Sequence, residues 1–236
     1  ICLSQNQETK KYLKYLGAKK IKFTGNLKFS ESKSQKKNNF DDKSKKIFKS
    51  RKIWCAASTH NTEEKICALA HKKLKNKYNN LVTIIIPRHI QRTDYIINEI
   101  KDLNLKVQTR STSNKISKNT DIYLVDAYGE TKSFYKICKT VFLGGSLINH
   151  GGQNPLEPAR FGCKILHGPY VQNFTEVYNL LERNNLSSKF NNIDQLINLI
   201  NQSFIKKTNF TNKINKLKKI GLSILEKTLS EINCYL

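Results

Sequence analysis

The sequence predicts an α/β fold in which a parallel sheet carries helices on both faces. Short apolar runs rich in β-branched residues alternate with longer amphipathic stretches, as in repeated strand–helix units. The chain has 236 residues, enough for one large domain or for one domain and part of another. The predicted strands are residues 21–24, 53–57, 82–87, 106–109, 121–125, 141–143 and 163–166.

Helical periodicity follows most of these strands. The Lys-, Ser- and Asn-rich residues 30–45 lack strong periodicity, so we predict a linker there. It would separate the last elements of an upstream domain (residues 1–29) from the main domain (residues 46–236). The predicted helices are residues 63–77, 94–103, 133–138 and 174–183, followed by two more within residues 192–236, where Ile193, Leu196, Ile197 and Ile200 recur at helical spacing.

The chain is strongly basic, with 42 Lys and Arg against 18 Asp and Glu and a formal net charge of +24 at pH 7. Clustered cations bind nucleic acids or anionic membranes. The lysines here stand among many Asn and Ile residues, the mixture that AT-rich codon usage produces. A basic stripe interleaved with aromatic residues is missing from the sequence. We therefore expect no nucleic-acid partner and a weak attraction to an anionic membrane surface.

Six scattered cysteines form no C-x-x-C pair, which argues against a zinc site or a disulfide framework and favours a reducing compartment. The sequence contains no methionine and starts at Ile1, so we expect part of the protein to lie upstream. The sequence has no apolar run of membrane-spanning length.

Polar loops follow several predicted strands, at the edge where open α/β sheets bind their ligands. After residues 53–57, Asn61 is a candidate N-cap with Glu64 three residues later. This helix start suits an anion, although a well-capped helix without a ligand explains it equally well. After the next strand, Arg88 of the segment Pro87-Arg88-His89 suits phosphate, and a surface salt bridge is the alternative.

Glycine marks two further loops. In the segment 126–130, Gly129 would let the backbone approach a ligand closely. The segment 142–159 contains two glycine pairs, with Asn154 as a candidate N-cap, Pro155 as the first helical residue and Glu157 as the third. The Glu157 carboxylate could accept both ribose hydroxyls of a nucleotide. We expect packing alone not to require four glycines, a histidine and a glutamine in one loop.

Familiar nucleotide fingerprints are missing from the sequence, including G-x-G-x-x-G after the first strand and G-x-x-x-x-G-K-[ST]. This argues against a dehydrogenase and a P-loop ATPase. The H-E-x-x-H pattern and clustered metal ligands are also missing. The residues therefore predict a nucleotide-sugar site without a metal.

Taken together, the loops resemble those of the Kdo (3-deoxy-D-manno-octulosonic acid) transferases of lipopolysaccharide synthesis, which have the two-domain GT-B glycosyltransferase fold. The matches follow the family's order from Gly25 to Phe174. They are residues 24–29 (TGNLKF), 57–60 (ASTH) with Glu63-Glu64, 87–89 (PRH), Asp126 with Gly129-Glu130, 144–146 (GGS), 151–159 (GGQNPLEPA), and Gly168-Pro169 with Asn173-Phe174.

The resemblance implies a Rossmann-like C-terminal half of a GT-B enzyme. Lys28 matches the lysine that stabilises the transition state in this family, and the general base is a carboxylate of the N-terminal domain. Among the departures, Thr62 stands where the family usually has glycine. The resemblance implies CMP contacts from Pro87, Arg88, Tyr128, Gly129, Glu130, Asn154, Pro155, Leu156 and Glu157, and further phosphate or sugar contacts from His60, His89 and Ser146.

The implied reaction is a metal-independent, inverting transfer of Kdo from CMP-Kdo to a lipid A precursor (lipid IVA), without a cofactor. It would take place at the cytoplasmic face of the bacterial inner membrane, with peripheral contact to anionic lipid. We expect this chain alone to bind CMP-Kdo weakly and not to turn over, since residues 1–29 match only the end of the acceptor domain. A GT-B transferase that uses a UDP-sugar and a basic nucleic-acid-binding protein are the alternatives.

Overall fold

The computed structural model describes residues 1–30, 40–113, 115–206 and 211–235. The chain divides into two compact units, one of Ile1–Gln35 with Thr211–Leu236 and one of Lys36–Phe210. The described strands are β1 (Cys2–Ser4), β2 (Ile21–Phe23), β3 (Lys52–Thr59), β4 (Leu81–Pro87), β5 (Val107–Thr109), β6 (Ile122–Leu124), β7 (Thr140–Leu143), β8 (Lys164–His167) and β9 (Ser187–Lys189).

Nine α-helices lie in the described residues. Short 3₁₀ helices lie at Leu27–Ser30, Ile90–Arg92, Lys101–Leu103 and Gln172–Phe174. The α-helices are α1 (Gln7–Tyr15), α2 (Asp42–Ser50), α3 (Glu63–Lys75), α4 (Thr93–Ile100), α5 (Thr131–Ile137), α6 (Leu156–Arg160), α7 (Thr175–Arg183), α8 (Ile193–Ile205) and α9 (Thr211–Asn233).

The smaller unit is built around a parallel β1-α1-β2 motif. Helix α1 starts where the Asn6 side chain accepts a hydrogen bond from the Thr9 N–H at 2.6 Å, a normal N-cap. Helix α9 packs on the 3₁₀ helix Leu27–Ser30, and a Cβ at Gly221 would stand 2.3 Å from the Phe29 carbonyl oxygen. Glycine at this position therefore permits the close packing of the two segments.

The larger unit contains a seven-stranded sheet in the order β5-β6-β4-β3-β7-β8-β9, and every neighbouring pair is parallel. All seven residues of β4 are buried, as expected for a central parallel strand covered on both faces. Helices α3, α4 and α8 cover the face that carries Trp54 and Ala56. The opposite face carries an aromatic cluster with ring centroids 5.0 to 6.4 Å apart, formed by Phe40, Phe48, Tyr123 and Phe134.

The strand order places a topological switch point between β3 and β7. The chain runs from β3 to β4 on one side of the sheet, then returns to place β7 on the other side of β3. Loops that leave the two strands at their carboxyl ends therefore diverge and open a crevice, where open α/β sheets bind ligands.

The predicted fold class is confirmed, and each of the seven predicted strands overlaps an observed one. Strands β1 and β9 and helices α1 and α2 were not predicted. Most of the predicted linker, residues 31–39, lies outside the described residues. Its last part is ordered structure, since Asp42 begins α2 and Phe40 is buried. The domain division itself stays a prediction.

Candidate active site

Five loops at the carboxyl edge of the large sheet contain most of the predicted site residues, and Pro87, Leu156 and Glu157 directly adjoin them. The loops are residues 60–62, 88–92, 125–130, 144–155 and 168–174, which follow β3, β4, β6, β7 and β8. Backbone hydrogen bonds join neighbouring loops, from Arg88 N to Thr59 O (2.9 Å) and from Tyr170 N to Ser146 O (2.9 Å). The predicted residues of this unit therefore share one edge of one sheet.

Glu63 fixes the two loops of the switch point to each other. Its buried carboxylate accepts backbone N–H groups from His60 (2.9 Å) and from Gly145, Ser146 and Leu147 (2.8, 3.2 and 3.0 Å). Burial raises the pKa of Glu63 above its usual value, although the four N–H donors favour the carboxylate form. Sequence reasoning gave Glu63 no such role; it stood out only in the Glu63-Glu64 pair that follows residues 57–60.

Close packing requires glycine at two positions of the 144–155 loop, and the backbone conformation favours it at the other two, so the four glycines have a structural reason without a ligand. A Cβ at Gly144 would stand 2.3 Å from the Ser58 carbonyl oxygen, and one at Gly151 would stand 2.2 Å from the Asn173 side chain. Gly145 and Gly152 have φ values of +66° and +74°, in the left-handed region that favours glycine.

The prediction that Asn61 is the N-cap of α3 is wrong. Thr62 precedes the first residue of α3, with φ +74° and no side-chain cap. The Asn61 side chain instead accepts from Arg92 at 3.2 Å, and Arg92 binds the buried Glu64 through both of its terminal nitrogens, at 2.9 and 3.3 Å. The positive φ explains why glycine suits position 62. Sequence patterns could not find the Arg92–Glu64 pair, whose members are 28 residues apart.

Three histidines from three different loops meet beside the switch point. The His60 ring lies 4.3 Å from that of His150 and 6.0 Å from that of His89, measured between centroids. Burial lowers the pKa of His60 to about 4, helped by the nearby histidines and by Arg88 and Arg92. His60 and His89 were predicted site residues, whereas His150 was noticed only as part of its glycine-rich loop.

Arg88 is exposed at the end of β4, directly after the buried Pro87. No acidic side chain among the described residues forms an ion pair with it. The other arginines nearby are engaged, since Arg92 holds Glu64 and Arg110 holds Glu130. The salt-bridge alternative for Arg88 thus finds no partner in the described part of the chain.

The segment 128–130 forms an open turn. Gly129 has φ +79°, a Cβ at this position would meet no atom within 4 Å, and Tyr128 is 68% exposed. The Glu130 carboxylate accepts from Arg110 Nε at 2.7 Å and from its NH2 group at 3.2 Å. This Arg110 clamp, which the sequence did not predict, fixes the carboxylate while leaving the glycine accessible.

The helix start near Asn154 is shifted by one residue from its prediction. Pro155 is the N-cap and Leu156 the first residue of α6, so Glu157 is second rather than third. The Asn154 side chain accepts from Leu156 N at 3.1 Å. The half-exposed Glu157 carboxylate lies 3.2 Å from Lys132 Nζ, which orients it at the surface.

Two further predicted residues have distinct settings. The Ser146 hydroxyl is buried, donates to Leu143 O at 2.6 Å and accepts from Gly168 N at 2.9 Å, so it holds the loop itself. Lys28 is exposed in the 3₁₀ helix of the smaller unit, and its backbone N–H donates to Asn26 at 3.0 Å. The roles assigned to both residues stay predictions.

The described residues contain no group of three or more His, Cys, Asp or Glu side chains that could hold a metal ion. Within that same part of the chain, none of the helices combines the length and apolar character needed to cross a bilayer. All six cysteines are free thiols.

An open parallel sheet whose ligand loops meet at a switch point is the architecture of the nucleotide-binding half of GT-B glycosyltransferases, and the chain has this fold. No family model matches it. The C-terminal CMP-Kdo binding domain of WaaA from Acinetobacter baumannii is similar in structure, with a TM-score of 0.66 and 27% identity over 75% of this chain and 91% of that domain.

Curated relatives agree with this. The 3-deoxy-D-manno-octulosonic acid transferase of Haemophilus influenzae is 36% identical over 163 residues, 69% of this chain and 38% of that protein. The enzyme of the same name from Aquifex aeolicus is 28% identical over 236 residues, 100% of this chain and 59% of that protein. The chain belongs to the Kdo transferase family and matches its C-terminal part. It spans about half the length of these curated relatives.

Proposed function

We propose that this chain binds CMP-Kdo and that the protein transfers Kdo from it to a lipid A precursor, lipid IVA, by a metal-independent, inverting reaction. The observation that carries the proposal is the exposed guanidinium of Arg88 beside the switch point. It has no acidic partner among the described residues, whereas the neighbouring Arg92 and Arg110 each hold a glutamate. A planar cation left available at this edge suits the phosphate of a nucleotide.

The rest of the nucleotide has candidate partners along the same edge. Glu157 is half-exposed and oriented by Lys132, so its carboxylate can accept the ribose hydroxyls. The turn at Gly129 leaves its backbone open to a ligand, while Glu130 is fixed by Arg110. Pro87, Tyr128 and the residues Asn154–Leu156 complete the proposed CMP contacts, with His60, His89 and Ser146 as further candidates.

The proposed reaction depends on cations that stabilise the leaving phosphate rather than on a nucleophile from the protein. As the anomeric carbon loses CMP, negative charge grows on the departing phosphate. A preorganised cation there stabilises the transition state by about 3 kcal/mol for each well-placed donor. We assign this role to Lys28, and we assign the general base to a carboxylate of the family's N-terminal domain.

Titration calorimetry of the 236-residue chain with CMP, UDP and GDP tests the donor assignment. We expect CMP to bind most tightly. Arg88→Ala should weaken CMP binding about 10- to 100-fold, because a charge-assisted bidentate contact is lost. Arg183→Ala, an exposed arginine at the end of α7, is the matched control and should bind like the parent. A preference for UDP would overturn the proposal.

Turnover and membrane contact need their own measurements. With labelled CMP-Kdo and lipid IVA, we expect this chain to bind the donor without transferring Kdo, and transfer by the chain alone would show that it carries its own base. We also propose peripheral contact with the cytoplasmic face of the inner membrane. Co-sedimentation with anionic vesicles should then fall as salt is raised, and equal binding to neutral vesicles would contradict this.

A further inference from the structure

His60 has an unusual setting at the switch point. Only 9% of its surface is exposed, and its Nε2 atom has no hydrogen-bond partner among the described residues. Leaving a buried polar nitrogen unpaired costs free energy, so such an atom in a folded protein calls for an explanation. Two other histidines share this feature, but Nε2 of His71 faces Asp121 at 3.7 Å and His167 stacks on Tyr178.

The space in front of this nitrogen is shaped by a glycine. A Cβ at Gly145 would stand 3.3 Å from Nε2 of His60 and 3.3 Å from Nδ1 of His150. The two imidazoles approach the same point from the loops after β3 and β7, with His89 of the third loop 6.0 Å from His60. The three rings, His60, His89 and His150, are called the histidine cluster below.

Nearly all the charge that faces His60 is positive. Arg88, Arg92 and His89 come from the loop after β4, and His150 comes from the loop after β7. The Glu63 carboxylate accepts the backbone N–H of His60 and three more N–H groups, and the Glu64 carboxylate is paired with Arg92. Burial, the neighbouring histidines and the two arginines lower the pKa of His60 to about 4, so its ring is neutral at pH 7 in the free protein.

We infer that the histidine cluster is a phosphate-monoester site at which ligand binding is coupled to the uptake of one proton by His60; this inference rests on the proposed function. An entering phosphate dianion supplies a hydrogen-bond partner for the unpaired Nε2 of His60, and its negative charge favours the protonated imidazole. Nε2 of His60 then takes a proton from solvent and donates it in a hydrogen bond to a phosphate oxygen. No bond to phosphorus forms or breaks.

The coupling makes the binding of CMP, a phosphate monoester, depend on pH in a definite direction. Below the pKa of His60 in the complex, each unit of upward pKa shift on binding strengthens the affinity about tenfold. Above that pKa the gain disappears. Nucleotide affinity should therefore fall as pH rises from about 6 to 8.

Calorimetry of the full 236-residue chain at about pH 6.5, in buffers of different ionisation enthalpy, measures the proton uptake directly. We expect about half a proton or more per CMP with the parent, and at least half a proton less with His60→Gln. The protonation state of free CMP, whose second ionisation lies near pH 6, is the same in both titrations. Cytidine, which lacks the phosphate, should cause no uptake. Equal uptake by the parent and His60→Gln would overturn the inference.

Two further readouts separate this inference from the donor assignment. In NMR pH titrations, CMP should move the His60 titration upward and leave His71 and His167 in place. If UDP binds better than CMP but both carry the uptake, the donor assignment fails and the phosphate site stands. If neither inorganic phosphate nor any nucleotide shifts the pKa of His60, the phosphate-site inference is wrong. If CMP binds without proton uptake, the inference is wrong but the proposed function still stands.

Discussion

The two edges of the seven-stranded sheet contain the same kinds of charged side chain but use them differently. At the amino edge, charged side chains form ion pairs and hydrogen bonds with other groups of the fold. The Asp121 carboxylate receives Lys75 Nζ at 2.7 Å and Lys106 N at 2.9 Å, and His71 lies 3.7 Å away. Arg51 donates to four backbone carbonyl groups, those of Asn80, Leu81, Lys118 and Thr120.

At the carboxyl edge some of the same groups are left available. Arg88 has no ion-pair partner in the described residues, and Nε2 of the buried His60 is unpaired there. A cavity of about 640 Å³ lies at the amino edge beside Arg51, so a cavity by itself does not indicate the binding edge. The comparison teaches that an exposed arginine without an ion-pair partner, together with a buried histidine nitrogen that faces no carboxylate, indicates the binding edge better than charge does; the unpaired Nε2 of His71 at the amino edge faces Asp121.

The largest expected effect is at Glu63, which holds the binding edge together. Glu63→Ala leaves four buried N–H groups without their acceptor, so we expect a loss of about 3–5 kcal/mol in the free energy of unfolding by urea denaturation. Glu63→Gln keeps one acceptor oxygen and should lose about half as much. Glu182→Ala, at an exposed position, should change stability by less than about 0.5 kcal/mol. A stable Glu63→Ala variant would show that the loops are held by packing alone.

The next effect compares one arginine from each edge, Arg51 and Arg88. Arg51→Ala should lower the free energy of unfolding by about 2–3 kcal/mol and leave CMP affinity unchanged, because its hydrogen bonds are internal. Arg88→Ala should do the reverse, weakening CMP binding with stability unchanged within about 0.5 kcal/mol. Urea denaturation and calorimetry on both variants measure these effects, and parallel effects in the two variants would remove the distinction between the edges.

A third effect is the pH dependence of stability that Asp121 confers at the amino edge. Burial opposes ionisation of Asp121, but the nearby His71 (3.7 Å), the Lys75 ammonium (2.7 Å) and the Lys106 N–H (2.9 Å) outweigh it and lower the pKa of Asp121 below its usual value. A lowered pKa stabilises the fold above the unfolded-state value of about 4, and this stability is lost as pH falls further. Asp121→Asn should therefore cost about 2 kcal/mol at pH 7 and far less near pH 2. A cost independent of pH, in urea melts across this range, would rule out an ionic contribution.

The smallest effect concerns backbone strain at the binding edge. Thr62 is β-branched at φ +74°, so Thr62→Gly should raise the free energy of unfolding by about 1 kcal/mol after the entropy cost of glycine. The matched control is Thr131→Gly at the first residue of α5, where φ is ordinary and about 1 kcal/mol should be lost. Equal losses in both variants would mean that Thr62 is not strained.

Much of the fold could be predicted because its signals are local. The apolar run of β4 and the helical periodicity of α3 and α8 depend on neighbours in sequence. Strand β9 was missed because Ser187–Lys189 is short and polar, and it becomes a strand only by pairing with β8. Helix α2 was missed because its apolar face, Ile47 and Phe48, is narrow within a lysine-rich stretch.

The candidate site was predictable in its loops but not in its internal contacts. Glycine, proline and Arg88 after apolar runs indicated the carboxyl edge, and they lie there. The Asn61 cap failed because the chain enters α3 through Thr62 in the left-handed region, and the Asn61 side chain accepts from Arg92 instead. Pairs such as Arg110–Glu130 join loops that are separated in sequence, so no local pattern reports them.

By itself, the sequence determined the parallel α/β fold, the order of its strands along the chain and the loops that carry polar residues, since each depends on short-range periodicity and turn chemistry. The tertiary structure alone decided which polar groups bind other groups of the fold and which are available to a ligand. Glu63, Arg51 and Arg92 are satisfied by residues distant in sequence, whereas Arg88 and Nε2 of His60 are not satisfied by any described residue. Satisfaction of a polar group is a property of its neighbours in space, and only the folded chain supplies them.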